Sequence, residues 1–353
     1  MIQKGMWWKL SGIILFLYVL WGGMTIPLRP GITSINPSSA KTGDTIELKA
    51  TGYNTHFATV GNGRAWLKLD SVHAIKALTW QAENDNEVTL RFILPQTLPN
   101  ATEVFPLHLI IDNETDGAFV HPNALFLSSS SDTLSFDAKP WTKHELGQFN
   151  DHLGIQFPYR SILNETIRNT FFHVALWFAM FLLLIFGVVY SIRYLSTSDY
   201  DFDRKASAYT NIAVLYGIFG ILTGSVWAKF TWNTFWTNDV KLNMTAIALL
   251  IYLAYIILRG MNYDQDKRAR LAAIYNIFAF IALIPLVFVI PRMTDSLHPG
   301  NGGNPALGGE DLDHTLRMFF YPSILALFLI GKWIAELTTR FERVKDHFYL
   351  KKS

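Results

Sequence analysis

The stretch "FHVALWFAMFLLLIFGVVYSIRYL", residues 172 to 195, decides the fold class of this chain. From Phe172 to Ile192 it contains no Asp, Glu, Lys or Arg, and Arg193 enters only at its far end. A helix needs about 20 apolar residues to cross the hydrocarbon layer of a bilayer, so this run predicts a membrane-crossing helix. Working outward, five further runs meet the same test, at about 7–27, 208–227, 240–258, 271–290 and 317–336. The predicted fold is therefore an all-α polytopic membrane bundle of six transmembrane helices.

The bulk composition agrees. Of 353 residues, 50% are hydrophobic and only 16% charged, which is too apolar for an ordinary soluble protein. The net charge of +2 leaves no basic surface suited to nucleic acid. Instead the cations cluster at the ends of the runs: Lys4 and Lys9; Arg193, Arg204 and Lys205; Arg259, Lys267, Arg268 and Arg270; Arg340, Arg343, Lys345, Lys351 and Lys352. With six spans all four clusters fall on one side, which the positive-inside rule makes cytoplasmic together with both termini. Lys4 and Lys9 ahead of "LSGIILFLYVLWGGM" also fit an export signal. No small-x-small cleavage site follows, so a retained signal anchor over 1–27 is predicted. Cysteine is absent, which excludes disulfides, a Cys-x-x-Cys redox pair and covalent c-type haem attachment on this chain.

Between the first two runs the pattern changes. "DTIELKAT" and "EVTLRFIL" alternate apolar and polar residues at period two, and Gly61-Asn62-Gly63 is a turn signal between such runs. Short strands at this spacing predict a β-sandwich over about 28–130 on the periplasmic side, inserted between helices 1 and 2. The opening "ITSINPSSAKTGDTIELKATGYN" (32–54) resembles the start of an IPT/TIG immunoglobulin-like domain: a strand, a Pro-containing turn and a Gly-Asp turn leading into the next strand. Domains of that class commonly dock proteins, so a protein partner for the sandwich and a passive spacer are both open. A Ser-rich linker, "SSSSDT", and a helical pre-membrane segment are expected over 131–170, a five-helix membrane domain over 171–338, and a charged cytoplasmic tail over 339–353.

Chemistry concentrates in "TGSVWAKFTWNTFWTND", residues 223–239, expected as an outer loop. Trp227, Trp232, Phe235 and Trp236 there suit an interfacial aromatic belt, or else a flat apolar platform for a large planar ligand. Asp239 is placed to cap the following helix. His173 and His298 fall on the same outer side. They fit either interfacial hydrogen-bonding roles or the axial pair of a bis-histidine haem iron. His314 competes with His298, whose setting "HPGNGGNP" is Gly-rich and would let it move.

The order "FFHVA", "LTGSVWAKFTWNTFWTND", then "DSLHPGN" resembles the haem-handling family with the Trp-rich WWD signature, and within it the CcmC-like members of system I cytochrome c maturation. The resemblance covers about 160–340, with 28–140 as an added insertion. It implies His173 and His298 as axial ligands to haem iron. It also implies Trp227, Trp232, Phe235, Trp236 and Asp239 at positions of the haem-binding motif, with haem bound transiently and non-covalently as b-type haem. Ala228, Phe230, Asn233, Phe235 and Asn238 replace the Gly, Pro, Gly, Trp and Trp usual there, and Ala175 replaces a Pro after the first histidine. The implied partners are a CcmE-like haem chaperone, ABC ATPase and permease subunits, and a small CcmD-like subunit.

Other features carry less. Gly217, Gly220 and Gly224 permit close helix approach, and Pro285 predicts a kink in the fifth span. The loop "NYDQDKRAR" and the tail are solvated ends or docking surfaces. No phosphate-binding loop, His-Glu-x-x-His motif or Gly-x-Ser-x-Gly elbow occurs, so no catalytic residue is expected. The function expected is haem binding at the outer face of the inner membrane and presentation to a chaperone. A CcsA-type system II cytochrome c synthase is one alternative, argued against by the span count. A non-haem receptor or scaffold is another.

Overall fold

The computed structural model describes residues 5–70, 73–96, 104–128, 148–151, 154–161, 163–261, 264–298 and 312–350. Two compact units emerge: Ile26–Asn164, and Met1–Thr25 with Glu165–Ser353.

The helical unit begins with α1 (Trp7–Thr25). The inserted unit follows with β1 (Gly31–Asn36), β2 (Ser39–Lys41), β3 (Thr45–Tyr53), a short α2 (Phe57–Val60), β4 (Arg64–Lys68), β5 (Ala74–Lys76), β6 (Thr79–Asn84), β7 (Glu87–Ile93), β8 (Val104–Asn113) and β9 (Gly117–Ser128). The strands form a four-stranded sheet, ordered β1-β3-β7-β6, and a five-stranded sheet, ordered β2-β9-β8-β4-β5.

The period-two reading holds residue by residue. Ile46, Leu48 and Ala50 of β3 lie opposite Phe92, Leu90 and Val88 of β7, and all six are buried. They share one core with Leu67, Leu109 and Leu125 of the other sheet. Each fully buried leucine of that core contributes about 1.5–3 kcal/mol by leaving water. The Gly-Asp turn also forms: Gly43 takes φ +85°, which glycine adopts without strain. Asp44 Oδ2 accepts from Lys41 N at 3.0 Å.

One expectation about this unit changes, and one falls where nothing is described. The Ser-rich linker after Ser128 lies outside the described residues. The expected helical return segment is extended around Phe157: Leu28 bridges Phe157, Arg29 N donates to Phe157 O at 2.7 Å and Phe157 N donates to Pro27 O at 2.9 Å. Backbone groups used in that pairing cannot serve a helix. Among the described residues of this segment, helical structure is the 3₁₀ turn Asn164–Phe171.

The helical unit continues with α3 (His173–Thr197), α4 (Tyr200–Trp232), α5 (Val240–Gly260), α6 (Gln265–Ile284) and α7 (His314–Leu350). With α1 there are six helices, among the described residues, that are long and apolar enough to cross a membrane. This is a multi-pass membrane protein. After α6 the chain runs through a π-helical turn, Pro285–Val289, and a 3₁₀ turn, Ile290–Arg292. Pro285 lacks the N–H that would continue the α-helical ladder, so the break falls where expected.

Polar residues lock the end where the cation clusters meet. Arg259 holds Asp203 through two bonds of 2.7 and 3.0 Å. Arg343 pairs with Asp201, and Arg204 with Asp346. The expected free tail after 338 is therefore the last part of α7, knitted to the start of α4. At the same end Lys9 of α1 reaches Glu336 of α7 at 3.8 Å. Further along, Tyr18 of α1 stacks on Phe319 of α7 at 4.9 Å.

Candidate functional site

Glycine spacing on α4 builds the first half of the site. Gly217, Gly220 and Gly224 recur at three- and four-residue intervals, so they form one face of the helix. Into that face fit Met180, Trp177 and His173 of α3, again spaced three and four apart. A Cβ on Gly220 would stand 2.7 Å from Trp177, and one on Gly224 only 2.6 Å from His173 Cε1. The glycines first read as a packing feature are thus the seat of a candidate site residue.

His173 Nδ1 lies 2.9 Å from Gly220 O and 3.2 Å from Thr223 Oγ1. A carbonyl oxygen only accepts, so Nδ1 carries the proton and donates it to Gly220. In the neutral ring Nε2 then keeps its lone pair, the form a metal ligand needs. A second partner that fixes the tautomer in this way is the usual support of a ligating histidine.

The same face of α4 continues one turn, about 5 Å, to Trp227. Its ring meets Trp232 edge to face at 4.9 Å and 77°. His298 packs on both, 5.9 Å from Trp227 and 6.3 Å from Trp232. The two indoles make a corner, not the flat platform expected, because edge-to-face contact suits their quadrupoles better. Nor does either belong to a loop. α4 runs to Trp232, with no Gly or Pro from Ser225 onward to stop it, and ends at Asn233 in the left-handed conformation, φ 59°. Only 233–239 connects it to α5.

Within that connection the remaining candidates separate. Phe235 is exposed, with Lys229 Nζ 5.8 Å above its ring. Trp236 donates from Nε1 to Asn243 Oδ1 at 3.2 Å, and Asn243 in turn donates to Asn238 at 2.8 Å. Trp236 is held onto the first turn of α5 instead of onto the Trp227–Trp232 corner.

Asp239 joins the pieces. Its Oδ1 caps α5 by accepting from Lys241 N at 2.9 Å, and its Oδ2 accepts from Leu297 N at 2.8 Å. Burial pushes its pKa up, but hydrogen bonds from Ser296, Leu297, Lys241 and Leu242 outweigh this and leave it below the ordinary carboxylate range. The carboxylate therefore stays ionised through the neutral range. Beside it Thr237, Asn238, Asp295, Ser296 and Leu297 line a cleft of about 300 Å³. His314 opens α7 and is exposed. The Gly-rich segment after His298 lies outside the described residues. Thr223, Ser296 and Trp177 had no signal in sequence, since isolated polar or aromatic residues at helix ends are common.

Among the described residues no group of three or more His, Cys, Asp or Glu side chains could hold a bare metal ion. Haem asks less, because its porphyrin supplies four ligands and the protein only the axial ones. Two imidazoles packed against successive turns of α4, one with its tautomer set and one against indoles, fit that requirement.

Residues 159–298 match the family model described as Cytochrome C assembly protein. Over this region the helical unit resembles CcmC-type proteins. It is 31% identical over 158 residues to Heme exporter protein C of Bradyrhizobium diazoefficiens, covering 42% of this chain and 56% of that one. It is 29% identical over 137 residues to a putative cytochrome c biosynthesis ccmC-like mitochondrial protein of Marchantia polymorpha, covering 38% and 56%. Heme exporter protein C of Paracoccus denitrificans is 22% identical over 177 residues, covering 50% and 73%. The chain thus spans about half the length of the first two relatives. The matched region begins just before the 3₁₀ turn and ends at His298, so it encloses both candidate histidines.

The seat of His173 yields a direct prediction. Gly224→Ala should lower the stability of the detergent-purified chain by about 1–3 kcal/mol, the usual cost of overpacking. Gly260→Ala, where nothing lies within 4 Å of the added Cβ, should stay within about 0.5 kcal/mol of wild type. Thermal unfolding of the two variants checks this.

Proposed function

We propose that this chain binds haem at the outer face of the inner membrane and presents it to a haem chaperone during maturation of c-type cytochromes. The observation that supports this most is the pair of imidazoles packed against successive turns of one face of α4. His173 is fixed through Gly220, and His298 packs on the Trp227–Trp232 corner. The family match over 159–298 and the relatives named heme exporter protein C support the same reading. Haem is cargo here. His173 and His298 would take the two axial positions, and Trp227 and Trp232 would supply apolar surface for the porphyrin.

This chain's contribution is placement. Rigid ligation orients the cargo so that its edge meets a partner's nucleophile, converting a bimolecular encounter into a positioned one. The partners that fit are a CcmE-like chaperone, an ABC ATPase with its permease and a CcmD-like subunit. The end carrying Arg204, Arg259 and Arg343 would face the cytoplasm, which puts the site and the sandwich outside. The sandwich would take an IPT/TIG-like docking role.

In the native cell, His173→Ala should abolish covalent haem staining of c-type cytochromes, while the absorption of membrane b-type cytochromes persists. Normal staining in that strain would refute the proposal.

A further inference from the structure

Asp239 offers a carboxylate with four lone-pair sites, and this chain fills all of them. Lys241 N and Leu242 N donate to Oδ1 at 2.9 and 3.4 Å, Leu297 N donates to Oδ2 at 2.8 Å, and the Ser296 hydroxyl donates to the same carboxylate. Asp239 is only 5% exposed. Nothing of it is left for a ligand. Ser296 is itself shared, because its Oγ accepts from His298 N at 3.1 Å. A continuous relay therefore runs from the backbone of His298 through the Ser296 hydroxyl to Asp239 and into the first turn of α5.

We propose that Ser296 and Asp239 form a latch that holds the His298 imidazole against Trp227 and Trp232, acting as positioning residues instead of haem contacts. This rests on the haem-binding reading above and adds what governs release: opening the latch frees the segment bearing one axial ligand while His173 stays seated on α4. The energetic scale follows from chemistry. A hydrogen bond to an ionised group is stronger than one between neutral groups, and here two such bonds reach the segment that bears His298. The two residues also separate cleanly in test. Asparagine caps helices as well as aspartate, so Asp239→Asn keeps α5 intact while removing the charge on which Ser296 and Leu297 converge.

The test uses the full chain in detergent, with haemin as the probe. In the apo protein, Ser296→Ala and Asp239→Asn should speed hydrogen exchange at the Leu297 and His298 amides about tenfold, the factor expected for one lost hydrogen bond. Exchange in α5 should be unchanged. After haemin is added, both variants should release it faster to a haem acceptor and show a larger high-spin fraction, with Ser296→Thr restoring wild-type behaviour. Wild-type exchange at both amides in both variants would overturn the latch. Faster exchange with unaltered haemin release and spin state would overturn its role in holding the ligand. A wild-type chain that takes up no haemin would refute the haem reading instead, and the exchange result would still decide whether the latch exists.

Discussion

Purified in detergent from cells with an adequate haem supply, the wild-type chain is expected to show a six-coordinate low-spin haem spectrum. His173→Ala and His298→Ala should each abolish that spectrum, whereas His314→Ala should keep it. The expectation for His173 is the firmest, because its Nδ1 is already committed to Gly220 O and its Nε2 carries the lone pair a ferric or ferrous iron would use. For His298 it rests on the ring contacts with Trp227 and Trp232. Alanine there should leave a five-coordinate high-spin species or no bound haem at all. His314 opens α7 and is exposed, so its loss should not matter. If His314→Ala removed the low-spin signal and His298→Ala did not, the second ligand would be reassigned. A wild type that stayed colourless after haem reconstitution would leave the aromatic cluster as an interfacial belt and favour a receptor or scaffold. Trp232→Ala, which removes one wall of the corner, should weaken binding without changing the spin state of the haem that remains.

How much of this was legible in sequence depended on whether the signal was periodic. The six apolar runs and the alternation in β3 and β7 are patterns repeated over many residues, and tertiary packing had nothing to overturn. Helix ends were harder. Hydropathy marks where a helix leaves the apolar layer, not where it stops, so α4 extends from Tyr200 to Trp232 where the apolar run suggested about 208–227. The same holds for α7, whose charged final turns are kept helical by pairing with α4. At the site, residue types could be read but their geometry could not. Nothing in "TWNTFWTND" distinguishes Trp232, which packs on His298, from Trp236, which Asn243 draws away. The glycine stripe was visible, yet its meaning needed the matching stripe at His173, Trp177 and Met180 on another helix. Ser296 could be recognised only once Asp239 and Leu297 were seen to be bonded.

The other large effect lies at the opposite end of the bundle, where Arg259→Met should destabilise the chain by about 3–5 kcal/mol. Asp203 is left buried with its charge unmatched by that substitution. Its side chain is 12% exposed and that of Arg259 18%, and the fork-to-fork geometry at 2.7 and 3.0 Å leaves little room for water to replace the lost partner. Around the pair the bundle is polar but closed. Tyr255 and Thr210 are buried, and Asn276 Nδ2 donates to Ser191 Oγ at 3.0 Å and Thr210 Oγ1 at 3.1 Å, tying α3, α4 and α6 together. Asp203→Leu should cost a similar amount, for the mirrored reason. The double variant Asp203→Leu with Arg259→Met should recover most of the loss, since replacing both members of a buried ion pair by apolar groups removes the desolvation penalty along with the attraction. Thermal unfolding of the four proteins measures the coupling, and simple additivity of the two single losses would show that the pair is not a buried unit. Arg259 lies 18 residues along α5 from Lys241, which is about 27 Å at the rise of an α-helix. Whatever Arg259→Met protein survives purification should therefore bind haem with the wild-type spectrum. A lost spectrum in that variant would mean that the two ends of the bundle are coupled more tightly than packing alone requires.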